Sequence, residues 1–183
     1  LALEMAEQGV STASLPREAQ DSDVRSALRW NDEAWPWSAY GPAVMAAVRT
    51  GVPVLGANLP RGQMRTAMGD AELDGSLDAK AFQQQREAMR EGHCGLLPES
   101  QLTPMARIQI ARDRAMARTV AEAVKPGQTV LLLSGAGHVD QALGVPRHLP
   151  AALKVRSVQW PKQPPKKDYC AQLRQRMAPA RAQ

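Results

Sequence analysis

The chain is 183 residues long, 44% hydrophobic and 22% charged, with a formal net charge of +5. That profile belongs to one globular domain with a real core and is short for two. The charge excess is mild and scattered outside the C-terminal tail, which removes nucleic acid as the expected partner. No apolar run approaches membrane-spanning length. Two cysteines, Cys94 and Cys170, are too few for a disulfide framework and leave their pairing open. The opening "LALEM" carries neither an initiating methionine nor a signal peptide, so the expectation is a chain whose upstream piece is missing.

In chain order, residues 1–5 are a short apolar run that predicts a strand. "RWNDEAWPWSAYGPAV" then gathers Trp30, Trp35, Trp37 and Tyr40 in a chain only 4% aromatic. The tryptophans are expected to anchor a loop and the start of a packed helix over residues 41–50. "GVPVLGANLP" (51–60) predicts a second strand, and residues 76–91 predict a helix with Phe82, Gln85 and Met89 on one face, stopped by Gly92. The strongest helical signal covers residues 103–125. Thr103 is its expected N-cap, and Pro104 falls where the first helical residue needs no N–H. Met105, Ile108, Met116, Val120 and Val124 then recur at helical spacing before "KPG" ends the run. "TVLLLSG" (129–135) predicts a third strand, and the alternating "LKVRSVQW" (153–160) a fourth at an edge. From Pro161 the chain turns proline-rich and basic and is expected to be a tail or late-docking segment. Strands alternating with helices predict a layered α/β fold, a mainly parallel sheet flanked by helices.

Open α/β sheets bind ligands outside the carboxyl ends of their strands. If the predicted strands run parallel, Glu4, Asn58, Arg61 and His138 share one rim. The glycines of "SGAGH" permit a tight turn and close backbone approach, leaving His138 to point into a crevice. The alternatives are a turn histidine satisfied by backbone and a strand-end surface carboxylate. A carboxylate and a neutral imidazole on one rim can hold a metal or run acid–base chemistry; a closed metal site needs further ligands than Glu4 and His138. Tyr40 differs in kind from the tryptophans, because a phenolate ligates ferric haem iron in some proteins. "REGHCGLLP" offers His93 in a glycine-flexed turn, either as a ligand or as an incidental helix C-cap residue. Arg107, Arg114 and Arg118 form either a solvated helix face or a receiver of carboxylates.

Taken together, "LALEM", "WPWSAYGPAV" followed by "GVPVLGANLPR", "GHCGLLP", "MARIQIARDRAMARTV" and "LLLSGAGHVDQALGVPRHL" resemble the ChaN-like haem-binding family. These are iron-regulated bacterial envelope proteins of the larger Tiki/erythromycin-esterase-like superfamily. The resemblance runs in order over residues 1–160, and the tail from Pro161 lies outside it. It implies a three-layer α/β domain, often lipid-anchored in the periplasm or at the outer membrane, that takes part in haem or iron uptake. It also implies a homodimer around stacked haems, with a tyrosine on the iron and a neighbouring subunit's histidine at a propionate. Tyr40 is the expected tyrosine, because Tyr169 lies in the unmatched tail; His93 is the expected histidine and His138 the alternative. Arg61 is a further expected haem contact.

The sequence departs from the family at its start. Superfamily members open with a strand ending in a Gly-Glu-x-x-His motif, absent here. In the protease and esterase branches that motif, a strand-end glutamate and a later Gly-His build the active site. Glu4 and His138 match only the last two elements, so a metal-dependent hydrolase is the second expectation, incomplete in this chain.

Overall fold

A computed structural model of the chain describes residues 1–161 and 167–177. Its sheet has the strand order β2-β1-β3, with β1 (Ala2–Glu7) between β2 (Leu55–Asn58) and β3 (Leu132–Leu133), all parallel. The α/β class and the parallel pairing expected from the sequence hold. The first five residues of β1 are buried, which is why "ALEMA" reads as a run without alternation: both faces of the strand are covered.

What covers them decides where each side chain goes. Leu3 and Met5 pack with Val24 and Leu28, from α1 (Asp21–Ala27) and its end, and with Val44 and Val48 of α2 (Trp37–Arg49). Ala2 faces the other way, onto Met116, Ala117 and Val120 of α5 (Glu99–Ala123). Successive strand residues alternate faces, so Glu4 shares the α5 side with Ala2. The tryptophans anchor the loop before α2 as expected. Trp30 Nε1–H donates to the Trp35 carbonyl at 2.8 Å, Trp37 Nε1–H to Asp21 at 2.7 Å, and the Trp30 and Trp37 rings meet edge-on at 4.9 Å.

The helices expected at residues 41–50 and 103–125 both start earlier, at Trp37 and Glu99. The longest helix starts at Glu99, after Pro98, and carries Pro104 in its interior. Thr103 is therefore not its cap. Pro104 cannot donate to the helix, yet Leu102 and Ala106 on either side are fully buried, so packing carries the helix through the defect. The helix expected over residues 76–91 is present as α4 (Ala79–Gly92) and starts three residues later, after a 3₁₀ turn (Ala71–Ser76) and the N-cap Asp78, which accepts from the Ala81 N–H at 2.9 Å. A further helix, α3 (Arg61–Gly69), follows β2 where the sequence pattern predicts none.

The fourth strand is also corrected: residues 153–160 form none. The apolar positions fall at Leu153 and Val155, then slip phase to Val158 and Trp160, so no single face could be buried. Val155, Val158 and Trp160 are exposed. At the opposite edge, β2 is covered by the chain after β1: Gly56 N–H donates to the Val10 carbonyl at 3.0 Å and Thr12 N–H to the Val54 carbonyl at 2.9 Å. A Cβ on Gly56 would collide with the Glu7 carbonyl oxygen and come within 2.7 Å of Val10. Gly56→Ala is therefore expected to cost about 2–3 kcal/mol, the upper part of the overpacking range because backbone must move. Urea denaturation checks this, and a midpoint equal to that of the parent would contradict it.

Cys94 and Cys170 form a disulfide with Cα atoms 5.7 Å apart. It ties α6 (Tyr169–Met177), part of the segment expected to be a tail, to the turn after α4. Residues 162–166 and 178–183 of that segment lie outside the described residues.

Candidate functional site

The register of β1 against β2 slips between Leu3 and Glu7: Leu3 pairs with Gly56 and Glu7 with Asn58. Extra residues in one strand bend it and re-aim its side chains, and here the irregularity lies across Glu4, Met5 and Ala6. The Glu4 carbonyl accepts from Asn58 Nδ2 at 2.8 Å. Its carboxylate is buried and held at both oxygens. Oε1 accepts from Arg112 Nη2 at 2.5 Å and Oε2 from the Gly135 N–H at 2.6 Å. Arg112 also donates from Nε to Asn58 Oδ1 at 3.0 Å. His138, in a 3₁₀ turn (Ala136–Val139) just past β3, places Nε2 3.4 Å from Glu4 Oε1 and Nδ1 2.6 Å from Asp113 Oδ1. The Gln109 amide lies 3.0 Å from the same Nδ1.

Thus the structure brings Glu4, Asn58 and His138 to one rim, as the sequence predicts, but His138 does not open into solvent. It is 4% exposed and clamped between two carboxylates. Burial alone would lower its pKa, yet Asp113 and Glu4 raise it to about 9. Burial pushes Asp113 up to about 6 against the pull of His138. Burial would raise Glu4 likewise, but His138, the Gly135 N–H and Arg112 together bring it down to about 2. Near neutrality the string therefore reads anion, cation, anion, with Arg112 as a second cation.

Sequence reasoning missed Gln109, Arg112 and Asp113. The signal was present: the buried positions of α5 include Leu102, Ala106, Ile110, Asp113, Ala117 and Val120, and an aspartate in that apolar stripe needs a partner. Asp113 Oδ2 is buried with no hydrogen-bond partner among the described residues. Of the arginine stripe, Arg107 is committed to Asp74 through two 2.8 Å bonds.

Beside the network, at the carboxyl ends of β1 and β2, lies a crevice of about 480 Å³. Leu28, Trp35, Leu59 and Met64 give it an apolar wall, and Arg29, Arg61 and Arg112 give it cations. Arg61 opens α3, its backbone N–H held by Glu7 Oε1 at 3.1 Å. Tyr40 stands one ring behind the wall, its ring meeting Trp35 edge-on at 5.8 Å. Burial raises the Tyr40 phenol above its ordinary pKa, and the Glu4 charge adds to the effect. His93 lies elsewhere, past the end of α4 and next to the disulfide, with Nδ1–H donating to the Met89 carbonyl at 2.8 Å. That bond leaves Nε2 as the nitrogen able to take a ligand. Among the described residues no group of three His, Cys, Asp or Glu side chains is placed to hold a metal ion.

Fold and crevice define an α/β protein with a candidate ligand site at the carboxyl ends of its strands. Residues 1–149 match the family model described as haem-binding uptake, Tiki superfamily, ChaN, and the chain belongs to that family. Among solved structures it is similar to ChaN of Campylobacter jejuni, described as showing cofacial haem binding, at 25% identity and a TM-score of 0.67. The match covers 80% of this chain and 60% of that protein, so the chain spans about three-fifths of the relative's length. No curated protein matches it significantly.

Proposed function

We propose that this chain binds haem as the cargo of bacterial haem uptake. The observation that carries the reading is the family match over residues 1–149, with the crevice at the carboxyl ends of β1 and β2 as the place for the ligand. Haem is a flat apolar disc with two carboxylates and an iron that takes an axial ligand. A crevice of about 480 Å³ is within the size range of small-molecule sites. Its apolar wall suits the disc, its guanidiniums suit the carboxylates, and the neighbouring phenol suits ferric iron. In this reading Tyr40 supplies the axial oxygen, Arg61 a contact to a propionate, and His93 or His138 the histidine partner. Since His138 is buried between Glu4 and Asp113, His93 is the histidine this reading assigns to the partner's haem in a homodimer. No described helix is long and apolar enough to cross a membrane; the family's role in uptake supports a place at the cell envelope, and lipid anchoring is part of the same proposal.

Hemin titration of the purified chain is expected to give a saturable Soret shift, and its absence would remove the reading. Tyr40→Phe is expected to change the bound spectrum and weaken affinity at least about tenfold, the scale on which even outer-shell partners act. An unchanged spectrum in that variant would remove Tyr40 while leaving haem binding in place.

The Glu4–His138–Asp113 string supports a second reading, a metal-dependent hydrolase completed by an upstream motif. A metal at Glu4 would have to displace both Arg112 and the Gly135 N–H. Assay of a longer form on peptides and esters, with and without divalent metal, decides between the two.

A further inference from the structure

The three tryptophans around the loop before α2 are not held alike. The Trp30 indole N–H donates to the Trp35 carbonyl at 2.8 Å and that of Trp37 to Asp21 at 2.7 Å. The Trp35 indole packs partly buried against the core, yet among the described residues its N–H has no hydrogen-bond partner. A buried tryptophan usually finds one. The backbone around it, by contrast, is fixed. The Trp35 N–H donates to the Asn31 carbonyl at 3.0 Å, the Ala34 N–H to Asn31 Oδ1 at 3.1 Å, and the Trp37 N–H to Asp32 Oδ1 at 2.7 Å. Trp35 is therefore a side chain able to change rotamer on a backbone that stays in place.

Its position gives that freedom a use. Trp35 lines the crevice, and Tyr40 does not. The Tyr40 ring meets two indoles, Trp30 at 6.1 Å and Trp35 at 5.8 Å, the second edge-on. Trp30 is locked by its bond to the Trp35 carbonyl, so of the two rings against Tyr40 only Trp35 can turn. Burial raises the Tyr40 pKa and the charge of Glu4 adds to it, which places the phenol within electrostatic reach of a carboxylate that lines the crevice. Tyr40 thus stands close to the ligand space and is separated from it by one ring.

We infer that Trp35 is a gate between the crevice and Tyr40: haem is first captured against the apolar wall, and the phenol reaches its iron only after the Trp35 indole swings aside. The inference rests on the haem reading with Tyr40 as the axial ligand, and it adds the order of events. At ligation the phenol gives its proton to water, and the phenolate oxygen replaces a water on the ferric iron, with no change of oxidation state. Trp35 acts through Tyr40 and is a positioning residue. Turning one side chain suffices, so the loop backbone and its hydrogen bonds are the same before and after.

Stopped-flow mixing with hemin tests the gate on the parent chain, Trp35→Phe, Trp35→Ala and Tyr40→Phe. The Soret band reads capture, and the phenolate-to-iron charge-transfer band reads ligation. The parent is expected to show two phases, a capture whose rate rises with hemin concentration and a slower ligation whose rate does not. Trp35→Ala is expected to speed the second phase about tenfold, the scale of one edge-on aromatic pair, with Trp35→Phe between it and the parent. Tyr40→Phe is expected to keep the first phase and lose the second. Trp35 holds Trp30 through its backbone carbonyl, so both Trp35 variants keep that bond; thermal melts accompany each, and Trp35→Phe carries the test if Trp35→Ala melts early. An unchanged second phase in the folded Trp35 variants, or a parent that ligates in one concentration-dependent phase, would overturn the gate and leave haem binding standing. A second phase that persists in Tyr40→Phe overturns the tyrosine ligand and the gate together. A parent chain that binds no hemin overturns the haem reading and the gate with it.

Discussion

Arg112→Ala is expected to destabilise the fold by about 3 kcal/mol, because removing one partner of a buried ion pair leaves the other charge uncompensated. Glu4 is 5% exposed at its side chain, and Arg112, at 20%, is its closest cation, 2.5 Å away. The partial exposure of Arg112 sets the estimate at the low end of the range for buried pairs. Without the guanidinium, Asn58 also loses its contact to α5, and the β1 irregularity loses the strut that fixes it. Glu4→Gln with Arg112→Ala is expected to recover part of the loss, since the unpaired charge is then gone. Urea unfolding of the two single variants and the double variant measures the coupling. Additive effects would mean that the 2.5 Å contact does not carry the stability assigned to it.

The second large effect is a loss of stability at alkaline pH. His138 is raised from 6.5 to about 9 by Asp113 and Glu4, against the opposing effect of burial. A base whose folded pKa is raised stabilises fully below its unfolded pKa and loses that contribution as pH climbs through the folded one. The window is therefore from about pH 6.5 to about 9, and the loss across it is on the order of 2 kcal/mol. Asp113, raised from 3.8 to about 6 by burial, is an acid that prefers its proton in the folded state, so its ionisation lowers stability between those values. Glu4, lowered from 4.5 to about 2, contributes stability above pH 4.5 that disappears as pH falls through 2. Comparing the parent with His138→Gln isolates the histidine: the variant should be flatter from pH 6.5 to 9, and an identical slope would refute the assignment.

The sheet was legible because its strands are apolar runs that no helix period explains, and their parallel pairing followed from the helices between them. The rim was legible for the same reason: Glu4, Asn58 and His138 each interrupt such a run near its carboxyl end. What escaped was tertiary. Arg112 and Asp113 look like two more charges on an arginine-rich helix until β1 is laid against it, and only then does Asp113 fall in the buried stripe. The 3₁₀ segments and α3 have little apolar periodicity of their own and form where the larger elements leave them space. Pro104 misled in the opposite direction, because a strong local signal for a helix start was outweighed by Leu102 and Ala106 packing on both sides of it. The alternating segment at residues 153–160 predicted a strand from a pattern whose phase slips midway, and the slip is what keeps it out of the sheet.

The bond between Cys94 and Cys170 spans 76 positions, from within the family-matched residues to beyond them. Such bonds persist in oxidising surroundings and open where thiols are kept reduced. Whether the C-terminal helix is fastened beside His93 or trails from a single polypeptide end therefore depends on the chemistry of the compartment. The same sequence presents two different surfaces at that turn, according to where it is kept.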